Sequence, residues 1–292
     1  MTNWTGEERE KWSRDRSGFS SVDLLVVLSI GLVIGIVLLI GVPQWNRTRG
    51  ASQSTVALEN LRELTIAWTL YASDNEGALP AAGSGIIDGI QSGFSGSNCQ
   101  YLPHPVPSWA GPDAFNQGGW LGPGEARRGQ IDPACSIFFS PLWTYLSGTP
   151  RLFRDPADPT TVALPGINNG KALPRVRSFS MNQWIGGPGS GSRPDIAPAR
   201  KLDELPGGLR GDLVVFLGES PDSIDDGYFL IPPDQSMPGE SIPAGYHNGG
   251  TGPVSFADGH GELVQWAPSS PEPSSTIDPL AWKWLTDHSR AE

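Results

Sequence analysis

Only two cysteines, three methionines and four histidines occur in the 292 residues. The cysteines, Cys99 and Cys135, have 35 residues between them and form no CxxC pair or Cys/His cluster, so no structural zinc site is expected. Positive charge is also scarce. Twenty Lys and Arg stand against 31 Asp and Glu, for a formal net charge of −11. With no basic patch, no nucleic-acid partner is expected. GxSxG, HExxH, P-loop and dinucleotide fingerprints are all missing, so the chain is not read as an enzyme. No internal repeat is found.

Turn formers and tryptophan are plentiful. Gly 37 and Pro 28 make up about a fifth of the chain, which points to many turns and long ordered loops. Eleven tryptophans argue against disorder, because each buries a large apolar area.

Residues 24–42, LLVVLSIGLVIGIVLLIGV, carry no charge over 19 positions. As a helix they would span roughly 28 Å, near the hydrocarbon thickness of a bilayer. Arg9, Lys11, Arg14 and Arg16 precede the run, while Arg47 and Arg49 follow it, which favours a cytoplasmic N-terminus. The run ends in GVPQWNR, a poor fit to a small-x-small signal peptidase site. An acid, Asp23, stands at its N-terminal edge. Charge beside an apolar span is costly and signals function. Pairing with an amine on a neighbouring chain competes here with a simple interfacial role.

The junction Arg16-Ser17-Gly18-Phe19-Ser20-Ser21-Val22-Asp23, followed by the apolar run, resembles the processing motif of type IV prepilins and type II secretion pseudopilins. That resemblance implies cleavage between Gly18 and Phe19 by a prepilin peptidase, then N-methylation of Phe19. It also implies an assembly role for Asp23, where the family usually has Glu. Ser20 and Ser21 depart from the usual Thr-Leu or Ser-Leu. Pro43 stands near the end of the run, and a kink or melted turn is expected at residues 39–43.

Residues 51–76 place Ala57, Leu61, Leu64, Trp68 and Tyr71 on one face of an amphipathic helix stopped by Gly77 and Pro80. The phrase NLRELTIAWTLYASDNEGALP resembles pilin-like chains of planctomycetes and verrucomicrobia. So do RSFSMN and YHNGGTGPVSFADGHGELVQW. In that group a His precedes Asp-Gly by about nine residues. Here ten residues separate His247 from Asp258. The group also commonly has Cys where this chain has Asp155.

Residues 81–135 read as loops, and 136–147 as a short helix. Segments 176–184, 213–219, 228–231, 254–256 and 262–266 read as strands, the last two joined at Asp258-Gly259. The expected fold is α+β: a long N-terminal helix, membrane-embedded in its first half, packed on a C-terminal antiparallel sheet. The expected divisions are a leader at 1–18, a transmembrane helix at 19–43, its amphipathic continuation at 44–80, a loop-rich insertion at 81–149 and a sheet domain at 150–292.

Glu219, Asp222, Asp225, Asp226, His247, Asp258 and His260 gather near the C-terminus. Three readings stay open. They lock turns by hydrogen bonding. Alternatively Asp222, Asp225, Asp226 and Asp258 bind Ca²⁺, which takes six to eight oxygens and is known in major pseudopilins. Or His247, Asp258 and His260 form a hydrolytic or transition-metal site. The expected role is that of a structural subunit of a type II secretion or type IV pilus-like filament. Its partners would be a prepilin peptidase, other pilin-like subunits, the secretion or pilus assembly machinery and the membrane. It would cross the inner membrane once, with its C-terminal domain periplasmic or extracellular. The alternative is a membrane-anchored module that binds glycan or protein through Trp109 and Trp120.

In an exported domain Cys99 and Cys135 can form one disulfide, worth roughly 3–4 kcal/mol for a loop of that size; otherwise they are two buried thiols. Alkylation of the denatured, unreduced protein checks this: a bonded pair takes up no reagent, and two thiols take up two equivalents.

Overall fold

The computed structural model describes residues 21–83, 86–87, 90–91, 94–95, 100–101, 108–110, 136–163, 168–186, 197–205, 207–224, 227–231, 241–266 and 279–289; within 21–50, the side chains of 23 and 33–49 lie outside the described set. The chain divides into two units, Met1–Arg49 and Gly50–Glu292.

Helix α1 is one element, Ser21–Asp74, of 54 residues. Of the kink or melted turn expected at residues 39–43, the melted turn is not seen; the helix runs through Pro43. Proline removes a single i→i−4 bond, and the remaining ladder can carry the helix past it. In the first unit, Val22, Leu24, Leu25, Val26, Val27, Leu28, Ile30 and Leu32 are all exposed. Among the described residues no helix is long and apolar enough to cross a membrane. Of the run 24–42, positions 33–42 fall among the side chains not described.

In the second unit α1 becomes one-sided. Ala57, Leu61, Leu64, Ala67, Trp68 and Ala72 are buried, while Val56, Ile66 and Leu70 face solvent. The helix ends in a Schellman motif, with Gly77 N donating to Ala72 O at 2.8 Å. Glu76, rather than a glycine, takes the left-handed position at φ +55°.

Five strands form the main sheet: β1 (Phe179–Asn182), β2 (Val214–Gly218), β3 (Tyr228–Phe229), β4 (Thr251–Phe256) and β5 (Gly261–Gln265). Their order is β5-β4-β2-β1-β3. The pairs β5–β4, β4–β2 and β2–β1 are antiparallel, whereas β1–β3 is parallel. The sheet is therefore not wholly antiparallel. β1 and β2 are buried at every residue. The reason is that both faces are covered, a situation that favours continuous apolar runs such as VVFLG.

One face carries Phe179, Met181, Val215 and Phe216 and packs with Leu61, Leu64 and Trp68 of α1. Thr65 Oγ1 donates to Ser255 Oγ at 2.8 Å, pinning α1 to β4. The other face, with Val214, Leu217, Val254 and Phe256, is covered by a helix absent from the sequence reading, α2 (Pro279–Ser289). Ala281, Trp282 and Leu285 form its buried stripe. Pro279 opens it, where a missing N–H costs nothing. Asn182 Nδ2 donates to its last carbonyl, Ser289 O, at 2.7 Å. Residues 136–147, expected as a short helix, form a 3-10 turn at Ile137–Phe139 followed by turns.

Two glycines are required by close approach. A Cβ on Gly186 would run into the Pro80 carbonyl, and one on Gly227 into the Ala82 carbonyl. Both let the segment after α1 run against the chain, Pro80 at Gly186 beyond β1 and Ala82 at Gly227 just before β3. Truncation of the central stripe residue, Trp68→Ala, is expected to lower unfolding free energy by about 3–5 kcal/mol. Urea denaturation followed by circular dichroism reads it; Ile66→Ala, on the exposed side, is expected to change stability by less than about 0.5 kcal/mol.

Candidate functional site

The loop Arg154-Asp155-Pro156-Ala157-Asp158-Pro159-Thr160 repeats Asp-Pro at a spacing of three. Each aspartate uses one oxygen to cap a local turn. Asp155 Oδ1 accepts from Ala157 N at 2.8 Å, and Asp158 Oδ1 accepts from Thr160 N at 2.9 Å. Their other oxygens reach distant parts of the chain.

Asp155 Oδ2 lies 2.9 Å from His247 Nε2, and His247 Nδ1 lies 2.9 Å from Ser54 Oγ. Both the Asp155 and His247 side chains are buried. His247 opens the turn that leads into β4, where Gly249 and Gly250 adopt φ +77° and Gly250 N donates to His247 O. Ser54 sits on α1 and donates to Gly50 O at 3.0 Å. The order Ser–His–Asp is that of a nucleophilic triad. Here, however, the ring is turned the other way, with Nδ1 toward the serine and Nε2 toward the aspartate, and Ser54 Oγ is also within 3.0 Å of the Gly50 carbonyl of its own helix. What the contact does is tie α1, the Asp-Pro loop and the entry to β4 together.

Asp158 Oδ2 accepts from Arg175 Nε and from Ser178 Oγ, each at 2.6 Å. Arg175 is 3% exposed and Asp158 0%. Arg175 also donates to Tyr246 Oη at 2.6 Å and to Glu219 O at 3.1 Å. Burial pushes the Asp158 carboxyl up, but the Arg175 guanidinium, Ser178 and Thr160 outweigh it and hold it below the usual carboxylate range. Burial drives the Tyr246 hydroxyl well above the usual phenol range. α1 adds more ties: Asn60 Nδ2 donates to Arg151 O and Arg154 O, and Gln53 Nε2 to Pro156 O.

The residues singled out from sequence fall in several places. Gly18, Phe19, Cys99, Cys135, Trp120, Asp225 and Asp226 lie outside the described residues, and Asp23 is placed only as helix backbone. Glu219 is buried and accepts from Ser180 Oγ and Ser223 Oγ. Asp222 is exposed on a turn, its amide donating to Ser220 Oγ at 3.3 Å. Asp258 Oδ1 accepts from His260 N at 3.0 Å and lies 2.6 Å from His260 Nδ1. Thus His247 pairs with Asp155, and His260 with Asp258. Among the described residues no group of three or more His, Cys, Asp and Glu could hold a metal ion. Trp109 is fully buried, stacked on Phe153 with ring centroids 5.9 Å apart, and donates to Gly227 O at 2.6 Å. It is not available to a ligand.

Ser54, Asp158, Arg175 and Tyr246 escaped the sequence reading. The repeated Asp-Pro was the one local signal; their partners stand too far away in sequence to show a pattern.

Removing one member of a buried pair strands the other. Asp158→Asn is expected to cost about 3–5 kcal/mol. Because the folded Asp158 carboxyl is depressed, its stabilisation is present above the unfolded value near ~3.9 and is lost as pH falls through the lower folded value. Urea titrations from pH 7 to pH 3 are therefore expected to show the gap between the native chain and Asp158→Asn constant above about pH 5 and shrinking below about pH 4. Separately, His247→Ala and Asp155→Ala are expected to be non-additive, with a coupling of about 1–3 kcal/mol in a double-mutant cycle.

No family model, curated protein or solved structure matches the chain.

Proposed function

We propose that the chain is a pilin-like structural subunit. A bilayer, and later the packed helices of other subunits, takes up the apolar N-terminal part of α1, while the unit from Gly50 onward is displayed outside the cytoplasm. The observation that carries this reading is the change of character along a single helix. From Leu24 to Leu28 five successive apolar side chains are exposed. At about 100° per residue they point in every direction around the axis. A surface helix of a soluble domain keeps one polar face. From Ala57 to Ala72 the same helix buries one stripe and exposes the other.

The uncharged run 24–42, the Gly18–Phe19 junction and the lone Asp23 add to it. In the proposed assembly the peptidase frees the amine of Phe19, which is then methylated. That cation meets the Asp23 carboxylate of a neighbouring copy in a medium of low dielectric, where charge-assisted hydrogen bonds are strong and an unpaired charge is costly. Of the two tryptophans on which a ligand-binding module would rest, Trp109 lies in the core and Trp120 is outside the described residues.

Mass spectrometry of the chain from a cell with prepilin peptidase is expected to find an N-methylated Phe19 and no residues 1–18. Asp23→Ala is expected to be processed yet to drop out of envelope fibres at least tenfold. An intact leader, or fibres that incorporate Asp23→Ala as well as the native chain, would overturn the proposal.

A further inference from the structure

Between α1 and the 150–176 segment lies a groove of about 460 Å³, within the size range of small-molecule sites. Its walls are apolar: Val56 from α1, Leu173 and Pro174 from the hairpin that pairs Thr161–Val162 with Leu173–Pro174, and Val176 beyond it. Its polar residues are Asn60 and the arginines Arg151, Arg154 and Arg175; no Asp or Glu is among the lining residues. In a chain of net charge −11 this is a local reversal of sign.

The polar groups differ in what they have left to offer. The Asn60 amide is spent on two backbone carbonyls, and Arg175 on Asp158, Tyr246 and Glu219 O. Arg154 gives one Nη to Asp158 O at 2.7 Å, and among the described residues its other Nη makes no hydrogen bond. Arg151 is exposed and, among the described residues, has no carboxylate partner. Two guanidinium groups therefore have unused donors beside an apolar floor.

The backbone narrows the choice of ligand. Pro150, Pro156 and Pro174 bring no N–H to the groove, and Asn60 already occupies the carbonyls of Arg151 and Arg154. An extended peptide would leave its own amides unpaired there, at a cost. A ligand with one polar end meets no such penalty. We propose that this groove binds an aliphatic monocarboxylate, with its tail along Val56, Leu173 and Pro174 and its carboxylate at Arg151 and Arg154. The proposal goes beyond the assembly reading and does not depend on it.

The test uses the full chain in lipid nanodiscs and an octanoate analogue with a diazirine on its tail. After irradiation, digestion and mass spectrometry, label is expected at Val56 and within 173–176. Octanoate is expected to suppress that label and octylammonium to leave it. Arg151→Glu and Val56→Glu, both at exposed positions, are each expected to reduce it at least tenfold with unchanged circular dichroism and melting temperature. Label confined to residues 24–42, equal competition by octylammonium, or undiminished labelling of Arg151→Glu would overturn the proposal. Loss of an N-methylated Phe19 would bear on the assembly reading alone.

Discussion

The buried ion pair between Asp158 and Arg175 is the contact on which the C-terminal unit turns. An arginine this deep must have its donors met, and each partner comes from a different stretch of chain: the Asp-Pro loop, the carbonyl of Glu219 after β2, and Tyr246 before β4. Ser178, just before β1, completes the carboxylate. Such a pair adds little net stability over apolar residues of the same volume, but it is intolerant of any arrangement that separates its members. It therefore acts less as glue than as a register mark, fixing how loops without regular structure are laid against the sheet. In a chain this rich in glycine and proline, that is what the loops otherwise lack.

The Asp155–His247–Ser54 contact extends the same logic to the helix. Together with Gln53 and Asn60 it gives α1 a row of polar ties along the side of its buried stripe. The apolar contacts of Leu61, Leu64 and Trp68 supply most of the driving force, since burial scales with area. They tolerate sliding, because one apolar neighbour serves nearly as well as another. The polar ties do not, because hydrogen bonds demand distance and angle. The division of labour is thus between groups that hold and groups that locate.

The helix was the most legible part of the sequence, because its signal is periodic and local. Ala57, Leu61, Leu64 and Trp68 recur at helical spacing, and all four are buried. The strands were legible in position but not in extent: β1 shrinks to Phe179–Asn182, and β3 runs parallel to it rather than antiparallel. Strand direction depends on where a connection returns, which residues 228–231 alone cannot say. α2 was missed because its stripe is short and lies beyond a run of Ser and Pro. One of the three open readings placed His247 with Asp258 and His260, whereas His260 alone lies against Asp258. Asp258 is near His247 in sequence, whereas Asp155, 92 residues away, is the partner. Asp155 had drawn notice only as a departure from a resemblance, and Ser54 looked like an ordinary polar residue on a helix.

The polar ties also sit at a particular place along α1. Gln53 and Ser54 are the first residues by which the helix is fastened as it enters its unit, ahead of the stripe that begins at Ala57. Tension drawn along the helix axis from the N-terminal side would load these bonds before it reached the apolar packing. A helix fastened this way resists being drawn lengthwise out of the unit it enters.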